Sequence, residues 1–154
     1  MSRDIVIVRS DPREPAVRRL IDELDAYQAV LYPTESNHSL DLDEMSQPAM
    51  RFFSMTVDGD VMGCGGYWRH DDYGEVKRLY VSPKARGLGL GRKLMAHIED
   101  AMRAEGLGLS MLETGVSQPE ALGLYHALGY GFRGSFGDYP TDDPLSVFME
   151  KRLD

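Results

Sequence analysis

Cysteine is almost missing from this sequence: among 154 residues, Cys64 stands alone. One thiol excludes an internal disulfide and any zinc site built on several cysteines. Cys64 lies in Met62-Gly63-Cys64-Gly65-Gly66, inside an expected strand with no base beside it, and reads as a buried, inert thiol. Long apolar runs are missing as well, so nothing approaches membrane-spanning length. Met1-Ser2-Arg3-Asp4 opens straight into a short strand, without a signal-peptide core. A cytoplasmic protein with no membrane partner is the expectation. Basic charge is scarce: 17 Lys and Arg face 25 Asp and Glu, a formal net charge of −8. No basic stripe is there to neutralise phosphates, which argues against a nucleic-acid partner. An acidic balance serves solubility first, and attraction of a cationic acceptor second. Repeats, low-complexity tracts and linkers are absent. Residues 1–154 therefore read as one domain, long enough to bury about two thirds of its unfolded surface.

The pattern of elements is denser. Ile5–Val8 reads as a strand, and Ser10 or Asp11 as the cap of a helix with Pro12 in its first turn. Val17, Leu20, Ile21, Leu24, Tyr27 and Leu31 give that helix an apolar face. A polar loop follows, then a short helix within 40–45. Met50–Val57 and Val61–Trp68 are strands joined by the hairpin signal Asp58-Gly59, and Glu75–Val81 is a third. After the helix that begins near Leu90 come a strand at Leu109–Thr114 and a helix capped by Ser117 or Gln118 that runs to Leu128. Strands at Tyr130–Arg133 and Leu145–Lys151 close the chain. The order is α/β with a mixed sheet.

Between the third strand and its helix stands Arg86-Gly87-Leu88-Gly89-Leu90-Gly91. A glycine turn between a strand and a helix offers free N–H groups at the positive end of a helix dipole, a place that suits phosphate. A Walker loop would need Lys-Ser/Thr after the last glycine, where Arg92-Lys93-Leu94 stands. A Rossmann fingerprint would need glycine at Arg92, even though Glu113 falls roughly where a ribose-binding acid would.

At these residues the sequence resembles the GCN5-related N-acetyltransferases. Their pyrophosphate loop, Gln/Arg-x-x-Gly-x-Gly/Ala, is matched by Arg86, Gly89 and Gly91. Their downstream Asn-x-x-Ala-x-x-x-Tyr-x-x-x-Gly-Phe is matched by Gln118, Ala121, Tyr125, Gly129 and Tyr130, with Gln118 and Tyr130 departing from it. The resemblance implies that family's fold, a mixed, mostly antiparallel sheet of about seven strands flanked by helices. It also implies acetyl-CoA as donor, no metal, and an N-acetyltransferase working by direct transfer in a ternary complex. Many relatives pair, so it allows a homodimer without requiring one.

Residue by residue, the resemblance gives Arg86, Gly87, Leu88, Gly89, Leu90 and Gly91 to the pyrophosphate. It gives Leu79, Tyr80 and Val81 to the pantetheine arm and the thioester carbonyl, with Gln118 near the arm. Tyr125 becomes the general acid for the leaving thiol, since a phenol and a thiolate have similar basicity. Glu75 becomes the base that takes the amine proton, directly or through water. A small-molecule amine acceptor would lie under Tyr32–Leu40 and Gly134–Pro144, where Tyr32, Glu35, His38, Asp41, Asp138 and Tyr139 are candidates. Lys77 and Arg78 read as two cations on opposite faces of a strand, to meet ligand or to pair with acids. The rival readings are an acyl-CoA sensor without turnover, and an acyltransferase for longer chains or alcohols.

Overall fold

The computed structural model describes residues 3–34 and 40–153. Along it run β1 (Ile5–Arg9), α1 (Pro15–Leu31), α2 (Leu42–Met45), β2 (Met50–Val57), β3 (Asp60–Arg69) and β4 (Gly74–Val81). After a 3₁₀ turn at Pro83–Ala85 come α3 (Leu90–Ala104), β5 (Leu109–Gly115), α4 (Pro119–Ala127), β6 (Gly131–Arg133) and β7 (Ser146–Arg152). The seven strands form one open sheet in the order β1-β2-β3-β4-β5-β7-β6, antiparallel except where β4 meets β5.

The β2–β3 hairpin turns on Asp58 (φ 50°) and Gly59 (φ 89°), two left-handed residues of the kind a tight two-residue hairpin needs. Helix α1 starts later than expected. Asp11 accepts from the Arg13 amide at 2.9 Å and Ser10 bonds Ser54, so neither caps the helix. Pro15 rather than Pro12 takes the first helical position, behind Glu14, which makes no side-chain cap. Asp41, proposed for the acceptor site, instead caps α2 in a reciprocal box with Glu44. The cap of α4 falls on Gln118, not Ser117.

The two faces of the sheet bury different cores. Helix α3 lays Leu94, Met95, Ile98 and Met102 on one face, against Phe53, Tyr67 and Leu112. Helices α1 and α2 cover the other with Val17, Leu20, Ile21 and Met45, against Phe52 and Cys64. Cys64 is fully buried, and desolvation pushes its thiol up to about 12.

Strands β4 and β5 pair only from Gly74–Val76 to Ser110–Leu112, then part. On its other side β4 carries a bulge against Gly65, with Arg78 in the left-handed region at φ 60°. The extra residue breaks the in–out alternation: Val76, Leu79 and Val81 pack toward α3, while Tyr80 packs toward α1. Lys77 and Arg78 consequently share the α1 face instead of dividing between faces. Both pair with acids, Lys77 with Glu75 at 2.9 Å and Arg78 with Asp25 of α1 at 2.7 Å.

Candidate active site

A cleft of about 610 Å³ opens where β4 and β5 diverge, walled by the second half of α1, the start of α3 and α4. At one end lies the glycine loop. Gly87 (φ 87°) and Gly89 (φ 70°) are left-handed, and a Cβ on either would touch nothing, so backbone conformation and not crowding demands glycine there. Gly89 is the N-cap of α3 and supplies no side-chain cap, which leaves the first amides of that helix to a ligand. Arg86 and Arg92 line the same end; Arg86 also meets Glu120 at the surface, 3.3 Å away. Gly91, Leu90, Leu79, Tyr80 and Val81 line the cleft as well. Leu88 differs from its neighbours: its side chain is exposed and outside the lining.

Along the middle, Tyr32 and Tyr125 face the space between the strands. Tyr32 donates to Gln118 Oε1 at 3.1 Å and accepts from the Ser117 amide at 3.2 Å. It fits only because residue 115 is glycine, whose Cβ would collide with the Tyr32 hydroxyl. Tyr125 is buried, and desolvation, then the charge of Glu113, raises its pKa. The phenol therefore keeps its proton at neutral pH.

The far end is built from polar groups brought together over long sequence distances. Tyr139 and Lys77 line it, and behind them lies Glu75, which is buried and not itself part of the lining. Tyr139 donates to Glu75 Oε2 at 2.6 Å, Lys77 donates to Tyr139, and His70 Nε2 sits 2.9 Å from Glu75 Oε1. Burial and the Glu75 charge raise the Tyr139 pKa.

Glu113, noted in the sequence only for falling where an incomplete Rossmann fingerprint would put its acid, lines the cleft and accepts from Ser146 at 2.8 Å. Its signal was alternation: Leu109, Met111 and Glu113 occupy one face of β5. Arg92, which stands where a Rossmann fingerprint needs glycine, lines the glycine-loop end of the cleft. Arg78 lines the cleft too, with Nε and Nη1 lacking any acceptor among the described residues. Glu35 and His38 lie outside the described residues. No cluster of His, Cys, Asp and Glu among the described residues could hold a metal ion, and no described helix is long and apolar enough to cross a membrane.

Residues 17–130 match the model of the acetyltransferase (GNAT) family. The chain belongs to that family. It is accordingly an N-acetyltransferase with acetyl-CoA as donor. This acetyltransferase is 48% identical over 152 residues to the IAA acetyltransferase of Azospirillum brasilense, covering 97% of this chain and 99% of the relative. It is 31% identical over 137 residues to an uncharacterised N-acetyltransferase of Bacillus subtilis, covering 87% and 90%. A crystal structure from Klebsiella pneumoniae, assigned as an acyl-CoA N-acyltransferase, superposes with a TM-score of 0.85 at 35% identity, over 97% of this chain and 98% of that one.

Proposed function

We propose that the whole chain acts as one domain that moves an acetyl group from acetyl-CoA to the amine of a small molecule, by direct transfer within a ternary complex. One observation carries this reading: a single cleft joins the glycine loop to the Lys77–Tyr139 end, with Tyr125 along its wall. The hydrogen-bond donors along the cleft fit acetyl-CoA. Uncapped amides at the start of α3 and the guanidinium groups of Arg86 and Arg92 match a diphosphate. The open edge of β4 at Leu79–Val81 matches an extended amide-bearing arm. When bound, acetyl-CoA supplies a thioester carbonyl and a thiolate leaving group.

Direct transfer needs no nucleophile from the chain. The only thiol, Cys64, is sealed in the core, outside the cleft lining and held protonated. Backbone groups of β4 orient the carbonyl and Tyr125 gives its proton to sulfur. Glu75 takes the amine proton through Tyr139, since Tyr139 is the member of that pair that lines the cleft.

The test is free-thiol release across an acceptor panel that starts with IAA, from the relative's name, and extends through small amines. Tyr125→Phe is expected to lower kcat by roughly 10²-fold, the lower range for loss of a general acid, with coenzyme A affinity unchanged. Unchanged turnover across the pH range would remove the role from Tyr125, and binding without thiol release from any acceptor would make the protein a sensor.

A further inference from the structure

Glu75 poses a problem for amine deprotonation. Its side chain is only 6% exposed, and the proton it receives needs a way out. The cleft side is closed to it by Tyr139 and Lys77, which hold Oε2. The other oxygen, Oε1, faces His70 Nε2 at 2.9 Å, and the His70 side chain is 32% exposed. Exposure thus rises outward along Glu75 and His70, and every link is at hydrogen-bonding distance.

We propose that Tyr139, Glu75 and His70 form a proton relay from the cleft to solvent, with His70 as its outlet. This rests on the reading of the site as one that acetylates an amine. The amine nitrogen passes its proton to Tyr139 Oη as the tyrosine's own proton moves to Glu75 Oε2. At rest the Nε2–H of His70 faces the ionised Oε1. Once Glu75 is neutral the ring exchanges through water to the tautomer with a bare Nε2, and a half-turn of the carboxyl exchanges its oxygens and presents the proton to it. The ring then discharges a proton from its outer edge to water. One proton has moved from amine to solvent, and all three side chains have returned to their starting charge. Tyr139 never becomes a free phenolate, in keeping with a pKa raised by burial and by the Glu75 charge.

The surroundings suit an outlet. His70 stacks on Tyr73 with ring centroids 4.2 Å apart, and its amide donates to the Tyr73 carbonyl at 3.0 Å, which fixes the ring against Glu75. Tyr73 in turn feels the charges of Glu75, Asp72, Arg133 and Asp138, and Lys77 lies across the carboxylate. His70 is a positioning and relay residue: it touches neither donor nor acceptor.

The experiment measures steady-state thiol release by the full chain in dilute buffer of low proton capacity. His70→Gln keeps an amide donor where Nε2 stands but carries no proton; His70→Ala removes both. Both variants are expected to lose at least roughly tenfold in kcat, short of the ~10²–10⁴ lost with a direct acid or base, while KM for acetyl-CoA holds. Added imidazole is expected to restore His70→Ala in proportion to its concentration. Wild-type kcat in His70→Gln, or a loss in both variants that no buffer base restores, overturns the relay while acetyl transfer stands. A wild-type protein that releases no thiol with any amine overturns the acetylation reading itself.

Discussion

Gly115 shows how much one missing methyl group can decide. The Tyr32 ring occupies the space a Cβ at that position would fill, and from there it ties α1 to Gln118 and the Ser117 amide. Gly115→Ala has no cheap escape, because the ring must swing away and drop both hydrogen bonds. The expected outcome is a loss of about 1–3 kcal/mol in thermal or urea unfolding, as for other overpacked sites, together with weaker coenzyme A binding by calorimetry. Tyr125 makes the complementary case: desolvation keeps its proton in place, so its worth is chemical, and the phenylalanine variant should melt close to wild type.

At the scale of elements, the bulge in β4 places the charges. It turns Arg78 toward α1, where Nη2 meets Asp25 while Nε and Nη1 have no partner among the described residues. Asp25→Asn removes the compensating charge and leaves a cation 3% exposed. A fully buried pair broken this way costs about 3–5 kcal/mol, and because Asp25 is half open to water the expected loss is roughly 1–2 kcal/mol, read from urea midpoints. Elements whose signals are local were legible in the sequence. The Asp58-Gly59 hairpin, the three-stranded meander, the glycine turn and the 3.6-residue stripe of α3 each depend on neighbours in the chain. The start of α1 was not, because two prolines and several acceptors compete for it within a few residues. The glycines of β3 are consistent with a bulge there but do not show which strand carries the extra residue: a left-handed arginine leaves no mark in a pattern of alternating residue types, so alternation alone puts Lys77 and Arg78 on opposite faces. The glycine loop and Tyr125 could be read because they form a motif. The grouping of His70, Lys77 and Tyr139 around Glu75 could not, since only the fold brings a residue 64 positions away to that carboxylate.

The whole molecule inherits its pH limits from groups that the fold perturbs. Tyr32, Tyr67, Tyr73, Tyr80, Tyr125, Tyr130 and Tyr139 all have pKa values raised above 10.0, with desolvation the leading cause in each. Their contribution is complete below the unfolded value and fades as pH rises past it, because the unfolded chain then sheds protons that the native state retains. Stability should fall steeply from about pH 10 upward, by as much as about 1.4 kcal/mol per pH unit for each such tyrosine. On the acid side the sign reverses. Hydrogen bonds from Arg51 lower the Glu105 pKa below 4.5, and Tyr67 donates to the same carboxylate. That contribution is present above the unfolded value and is lost as pH falls through the folded one. Chemical denaturation across pH would trace both limbs, and Arg51→Met should flatten the acid one.

Where β4 and β5 separate, two ladder edges face each other across a gap instead of facing the outside world. An exposed edge invites any passing strand, and proteins blunt theirs with charges, bulges or a covering helix. Here the unpaired edges of β4 after Val76 and of β5 after Leu112 sit inside the molecule, out of reach of another folded chain. Admission then depends on thickness: a slim, extended guest carrying its own amides can thread between them and complete the missing rungs, while a bulky one is turned away before any side chain takes part.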